Sequence, residues 1–314
     1  MTSNPENDAA IVLRSVSKDY GPVRAVDGVY LEIGYGELFG LIGHNGAGKS
    51  TLFKMMLGLI PMSEGEIHVA GASLRTAAFR DARRHIGYLP ENLALYDNLS
   101  GMETLRFFAR LKGAPTDDCE ALLARVGLQG AGAKQVRAYS KGMRQRLGFA
   151  QTLLGSPRVL FLDEPTNGLD PAAIHDFYAM LQELREQGVT ILITSHILAE
   201  LQQRIDRLAV MADGRIVGLG SVAGLREQAD LPLTLVLRVE SGSRPAFLQQ
   251  LAPLRAQGIE IEDGPAEHDL ILRCRHAAKM HILATLQPLG GCLLDLQIHE
   301  ASLEDLFFNL RRAT

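Results

Sequence analysis

The chain has 314 residues, 46% of them hydrophobic and 22% charged, with a formal net charge of −4. That length suits one large domain plus a small one, and the composition is that of an ordinary globular protein. The slight acidity leaves no global basic field for nucleic acid, and the scattered Cys119, Cys274 and Cys292, without a C-x-x-C pair, argue against a disulfide framework and for a reducing compartment.

Met1 to Asp8 is polar and acidic and lacks the basic start and apolar run of a secretory signal. Residues Ile11 to about Gly71 read as short strands with turn punctuation. Within them Leu38–Gly43 is an apolar run ending in glycine, followed by the glycine-rich turn Gly43–Gly48. Lys49–Leu59 has helical spacing, with Leu52, Met55, Met56 and Leu59 on one side. No stretch reaches the ~18–20 apolar residues of a membrane helix; the best candidate, Leu52 to Met62, is interrupted by Lys54 and Gly58. Work at a membrane is therefore expected to be done beside it.

From about Asn92 to Gly155 the strand-like runs disappear and Leu, Ala, Arg and Glu dominate. Met102–Lys112 and Asp118–Val126 are expected to be amphipathic helices, and Ser140 to begin another that runs to about Leu154. Strand–helix alternation then returns: strand Val159–Leu162, helix Pro171–Gln187 with its proline in the first turn, then strands Val189–Thr194 and Arg207–Met211. Such alternation predicts a mainly parallel sheet covered by helices, carrying a helical insertion. Beyond about Val222 the pattern changes. Strand Leu233–Glu240, helix Arg244–Gln257, strands Ile259–Glu262 and Asp269–Cys274, helix Ala277–Leu289, strand Leu293–Ile298 and helix Leu303–Arg311 give the order β-α-β-β-α-β of a ferredoxin-like α+β unit. The expected division is a large α/β domain over 9–222, with its helical subdomain at about 92–155, and an accessory domain over 223–314.

Four segments carry chemistry. Gly43-His44-Asn45-Gly46-Ala47-Gly48-Lys49-Ser50 fits G-x-x-x-x-G-K-[ST] between a strand and a helix. Its glycines let backbone N–H groups wrap an anion, the helix N-terminus adds positive potential, Lys49 supplies a charge to the β- and γ-phosphates, and Ser50 offers a hydroxyl to Mg²⁺. Thr51 adds a phosphate contact. Val159 to Glu164 is an apolar strand ending in two carboxylates, a costly place for charge unless a cation compensates. Asp163 can hold Mg²⁺ through water and Glu164 can polarise the attacking water; alone, the segment would read as a strand leaving into an acidic turn. Ser195-His196 follows the next buried strand, so His196 can reach the γ-phosphate, although a lone histidine is more often structural. Tyr139 to Arg146 starts a helix, with Ser140 as a good N-cap and Gly142 permitting close approach of a phosphate. It reads as a second anion site, which suggests a site shared between two copies; the plain alternative is a capped helix with a basic first turn.

In combination these segments resemble the ABC ATPases over about residues 10–220. Gly43–Ser50 resembles Walker A, Asp163–Glu164 Walker B, Ser140–Arg146 the signature, Asn167-Gly168-Leu169-Asp170 the D-loop, and Ser195-His196 the switch histidine. Tyr20 falls where that family places an adenine-stacking aromatic; the alternative is an aromatic packed at a strand end. Two departures stand out. Lys141 and Met143 replace a glycine and a glutamine of the usual signature, and Glu91 follows Tyr88-Leu89-Pro90 where a glutamine is usual. Glu91 can still bind Mg²⁺ but adds negative charge beside ATP.

The resemblance implies Mg-ATP sandwiched between two copies. Each nucleotide would contact Asn45, Gly46, Gly48, Lys49, Ser50 and Thr51 of one copy and Ser140, Lys141 and Gly142 of the other. Glu164 and His196 would be catalytic, Asp170 would act in the D-loop, and Ser50, Asp163 and Glu91 would hold the metal. It also implies a homodimer beneath an integral membrane permease, on the cytoplasmic face of an inner membrane, with hydrolysis of ATP to ADP and phosphate reopening the sandwich. The tail Ser302-Leu303-Glu304-Asp305-Leu306-Phe307 resembles that of exporter-type members.

Within the family, Gly43 to Lys49, Gly87 to Asn92, Leu99 to Gly101, Glu103 to Leu105, Phe108 to Gly113 and Tyr139 to Gly148 resemble the ATPases that serve maturation of the copper–sulfur centre of nitrous-oxide reductase. That subgroup implies a periplasmic subunit contacted through the permease; a generic exporter is the alternative. The cysteines and methionines lack ligand spacing, so no copper chemistry is expected on this chain.

Overall fold

The computed structural model describes residues 9–195, 201–229, 231–266, 268–302 and 305. The chain forms two compact units, Met1–Ser221 and Val222–Thr314.

The N-terminal unit opens with two long strands, β1 (Ala9–Tyr20) and β2 (Val23–Gly34), paired antiparallel around a turn at Gly21. Strand β3 (Leu38–Gly43) is buried and runs into the loop that precedes helix α1 (Lys49–Met56). That helix stops earlier than its spacing predicts, at a turn with Gly58 in the left-handed region (φ 64°). Strands β4 (Glu64–Val69) and β5 (Ala72–Ser73) join the first pair in a sheet of order β2-β1-β4-β5. A short helix α2 (Ala78–Ala82) leads to β6 (Ile86–Leu89).

The helical insertion follows as α3 (Gly101–Lys112), α4 (Cys119–Arg125) and α5 (Lys141–Thr152). α3 starts where it does because Ser100 and Glu103 form a reciprocal capping box, which satisfies two of its orphan N–H groups. The unit continues through β7 (Val159–Asp163), α6 (Pro171–Glu186), β8 (Thr190–Thr194), β9 (Arg207–Ala212) and β10 (Arg215–Gly220). Its second sheet has the order β10-β9-β3-β8-β7-β6 and is parallel except for the β10 edge. The β7 and β8 residues are buried throughout, as strands covered on both faces must be.

One core joins the two sheets around α1. Leu13, Val29 and Leu31 of the antiparallel sheet, Phe53 and Met56 of the helix, and Phe39, Phe161 and Leu192 of the parallel sheet belong to a single buried cluster. The Phe53 ring stands edge-on to Phe161 at 5.6 Å, which fixes α1 over β7.

The second unit has helix α7 (Val222–Gln228), then β11 (Leu233–Val239), α8 (Arg244–Leu251), β12 (Glu260–Asp263), β13 (Asp269–Cys274), α9 (Lys279–Leu286) and β14 (Leu293–His299). Its sheet is antiparallel in the order β12-β13-β11-β14. That is the expected βαββαβ arrangement. Alternate residues Leu233, Leu235, Leu237 and Val239 of β11 turn into a core with Phe247, Leu251 and Ile282 of the helices. The helices are shorter than their periodicity suggests. Pro253 and Pro288 each turn the end of a helix into a 3₁₀ segment, Ala252–Gln257 and Gln287–Cys292, because a proline ring lacks an N–H and crowds the preceding turn. The expected helix Leu303–Arg311 lies outside the described residues but for position 305. Among the described residues no helix is long and apolar enough to cross a membrane.

Candidate functional site

Parallel pairing puts the carboxyl ends of β3, β6, β7 and β8 along one edge of the sheet, where α/β folds bind ligands. Gly43 ends β3, Asp163 ends β7 opposite Thr194 of β8, and Leu89 ends β6 just before Glu91. Segments far apart in sequence are therefore gathered at one place.

The loop after β3 is shaped by its glycines. A Cβ on Gly43 would lie 2.5 Å from the Met211 carbonyl oxygen. Gly48 has φ 101° and caps α1; a Cβ there would lie 2.5 Å from the Ala25 carbonyl oxygen. Any other residue would push the loop off the sheet. No side chain caps α1, so its first N–H groups remain available to an anion. Asn45, Gly46 and Ser50 are exposed and Thr51 is half-buried. Lys49 folds back over the loop and donates to the carbonyls of Gly43 (2.7 Å) and His44 (3.1 Å). Burial holds its ammonium below the usual lysine range, while the carboxylates of Glu164, Asp163 and Glu91 act on it in the opposite sense. The three acidic residues expected to bind the metal or activate water, Glu164, Asp163 and Glu91, thus bear on one cation.

Asp163 is 9% exposed. Burial raises its carboxyl above the usual range; the hydrogen bond from Thr194 opposes this, the Glu164 charge adds to it, and Lys49 and Lys54 oppose it. Thr194 Oγ1 donates to Asp163 Oδ1 at 2.6 Å and accepts the backbone N–H of Glu164 at 3.0 Å. One hydroxyl therefore fixes both acids. Glu164 itself has φ 49°, a left-handed conformation that costs a non-glycine residue of order 1–3 kcal/mol. Tyr88 on β6 has its phenol pushed up by burial and by the Asp163 charge, which places the strand before Glu91 close to the same carboxylate. Glu91 is exposed.

The second cluster stands on α5, which packs against β6 and the turn after β7. Ser140 caps that helix by accepting from Met143 N–H at 3.2 Å. Lys141 is exposed, Gly142 is half-buried and the first turn carries no acid. Asp170 serves as the N-cap of α6, accepting from Ala173 N–H at 2.8 Å. Tyr20 is 49% exposed at the end of β1, with Lys18 Nζ 5.1 Å from its ring centroid. It is not packed into the core, and the Lys18 ammonium stands over one face of its ring. Ser195 is 2% exposed; His196 lies outside the described residues.

Two residues were not singled out in the sequence. Thr194 reads there as an ordinary β-branched strand residue, and only the pairing of β7 with β8 sets it between the two acids. Gln145, 7% exposed, reads as a polar residue on an amphipathic helix; in the fold its Nε2 donates to the Pro165 carbonyl at 2.8 Å.

For Mg²⁺ the donor chemistry fits. This cation is usually held by one or two carboxylates, a hydroxyl, water and the substrate phosphates. Asp163, Ser50 and Glu91 can supply that set, and a buried carboxyl held above its usual range is what a cation would draw down.

A family profile described as ABC transporter matches residues 26–167. The chain is 35% identical over 306 residues to the uncharacterized ABC transporter ATP-binding protein YhcH of Bacillus subtilis (strain 168), covering 96% of each chain. It is 34% identical to the daunorubicin resistance ATP-binding protein DrrA3 of Streptomyces coeruleorubidus, again over 96% of each. To the linearmycin resistance ATP-binding protein LnrL of Bacillus subtilis (strain 168) it is 30% identical, over 96% of this chain and 97% of the relative. A solved ATP-binding subunit of an ABC transporter superposes with a TM-score of 0.65 at 32% identity, covering 70% of this chain and 92% of that one. A dimeric ATP-binding cassette bound to ADP and phosphate shares the fold, with a TM-score of 0.62 at 23% identity over 68% and 98% of the two chains.

Proposed function

Because the chain belongs to the ABC transporter family as an ATP-binding subunit, we propose that it binds Mg-ATP on Gly43–Thr51 and hydrolyses it as one half of a homodimer that drives a membrane permease. The observation that carries this reading is the convergence of Glu164, Asp163 and Glu91 on the half-buried Lys49 at the carboxyl edge of the parallel sheet. ATPase activity and work with a permease are properties of the family.

In this reading the loop N–H groups and Lys49 take the β- and γ-phosphates, Ser50 and Thr51 add hydroxyls, and Tyr20 stacks on the base. Ser50, Asp163 and Glu91 hold Mg²⁺, which when bound neutralises phosphate charge. Glu164 accepts a proton from the attacking water, oriented by Thr194 through its own N–H. His196 is assigned to the γ-phosphate. Ser140, Lys141 and Gly142 of the second copy complete the site, since one chain carries only one phosphate loop. Asp170 contributes by fixing the turn beside them. Positioning and charge stabilisation supply the catalysis, with no covalent step. Replacing Glu164 by Gln should leave ATP binding intact and trap a nucleotide-bound dimer, with turnover down by about 100-fold or more; ordinary turnover in that variant would refute the assignment of the base.

As to cargo, the segments Gly87–Asn92, Phe108–Gly113 and Tyr139–Gly148 favour a transporter that supports assembly of the copper–sulfur centre of nitrous-oxide reductase, working with a periplasmic subunit from the cytoplasmic face of an inner membrane. The relatives named for linearmycin and daunorubicin resistance favour a drug exporter instead. Co-purification from membranes separates the two. A permease together with a periplasmic repeat protein supports maturation; a permease alone, with drug sensitivity on deletion, supports export. The second unit, Val222–Thr314, is assigned to dimer contacts.

A further inference from the structure

Glu164 sits on a backbone turn with little slack. Its N–H is held by Thr194 and its carbonyl accepts from Asn167 N–H at 3.2 Å. Leu169 N–H then closes on the Thr166 carbonyl at 3.1 Å, and Asp170 caps α6. The next residue, Pro165, is buried and has no N–H, so its carbonyl is its one backbone hydrogen-bonding group. Gln145, from the second turn of α5, supplies the partner for that carbonyl.

Two more contacts join the same pieces. A Cβ on Gly142 would stand 3.3 Å from the Gly168 carbonyl oxygen and 3.7 Å from Leu169 Cδ2. A Cβ on Gly168 would stand 2.6 Å from Lys141 Cδ and 2.7 Å from its Cε, so the lysine stem lies flat across Gly168. The start of α5 is therefore latched to the Glu164–Asp170 turn through Gln145, Gly142 and Lys141. Behind the latch a cavity of about 640 Å³ opens between α4, α5 and α6. Deeper in, the rings of Phe149 and Phe177 meet at 4.7 Å.

We propose that Gln145 is a positioning residue for hydrolysis: it transmits displacement of the α5 N-terminal turn to the backbone that carries Glu164. This rests on the reading above, in which that turn meets the nucleotide held by the second copy. Binding at one site of the dimer then sets the catalytic carboxylate of the other through a hydrogen bond to the residue next to it. A glutamine that only satisfied a buried carbonyl would contribute stability and nothing to communication between sites.

The test uses the full chain with the membrane subunit that co-purifies with it, comparing wild type with Gln145→Met, which keeps the volume and removes the donor. We expect kcat to fall about tenfold, KM for ATP to stay within about twofold, and the Hill coefficient for ATP to drop toward one. A Hill coefficient equal to the wild type's, whether or not melting temperature falls, would overturn the proposal, as would a wild type without cooperativity. Gln145→Glu gives an independent arm. A protonated carboxyl can donate and a carboxylate cannot, so its kcat relative to wild type should recover as pH falls; a flat ratio would count against the role. If wild type itself turns over no ATP, the functional reading fails; if wild type is cooperative and Gln145→Met equally so, the latch alone fails.

Discussion

Thr194 concentrates two jobs in one hydroxyl, donating to the Asp163 carboxylate and accepting from the Glu164 peptide. Thr194→Val keeps the β-branched shape and removes both bonds. The Glu164 N–H would lose its partner, and Asp163, already held up by burial, would lose an interaction that opposes the shift. Turnover should drop by about 10- to 100-fold and stability by about 1–3 kcal/mol, read from steady-state ATP hydrolysis and denaturant melts. Unchanged turnover would show that the two acids are held by something else. The phosphate loop is legible in sequence because its chemistry is contiguous: glycines, lysine and hydroxyl stand at fixed spacing on one turn. Thr194 and Gln145 are not, because each acts through a partner 30 or 20 residues away whose position only the sheet register and the α5 packing decide.

Among the elements, α5 and β6 approach too closely for ordinary side chains. A Cβ on Gly87 would run into the Thr152 carbonyl oxygen and lie 2.5 Å from Leu160 Cδ2. The obstacle is backbone and cannot swing away. Gly87→Ala should therefore cost about 1–3 kcal/mol, although alanine is the better residue on conformational grounds. Gly130→Ala, where nothing lies within 4 Å, should stay within about 0.5 kcal/mol. Thermal melts of the two variants check the contrast; equal effects would mean that β6 can shift. Element identity was readable from periodicity here, as α3, α5, α6, β7 and β8 appear within a few residues of their expected limits. Their ends were less so. A run such as Arg244–Gln257 keeps helical spacing across Pro253, and the proline converts its second half to a 3₁₀ segment. Division of the N-terminal strands between two sheets was hidden for another reason. The β1 residues Ala9–Leu13 are all buried, so they lack the alternation that would mark an antiparallel strand with one wet face.

At the scale of the whole molecule, the order βαββαβ could be read along the chain, and β12 pairs with its neighbour β13, whereas the placing of β11 between β13 and β14 comes from pairing between segments some thirty to sixty-five residues apart. The resulting unit encloses its own core, with Leu235, Leu237, Phe247, Leu251, Leu270, Leu272 and Ile282 each 0% exposed. A unit of that size with a closed apolar core is large enough to fold alone. Residues 222–314 expressed by themselves should melt cooperatively, and the remaining 1–221, which hold the phosphate loop, both acids and α5, should still turn over ATP. What truncation should remove is association without nucleotide. The ATP-dependent contact assigned to Ser140, Lys141 and Gly142 remains in 1–221, so light scattering should show a monomer that dimerises only on adding ATP to the Glu164→Gln form. A truncated chain that stays dimeric without nucleotide would place the resting contact in the ATPase unit and leave 222–314 with a different task.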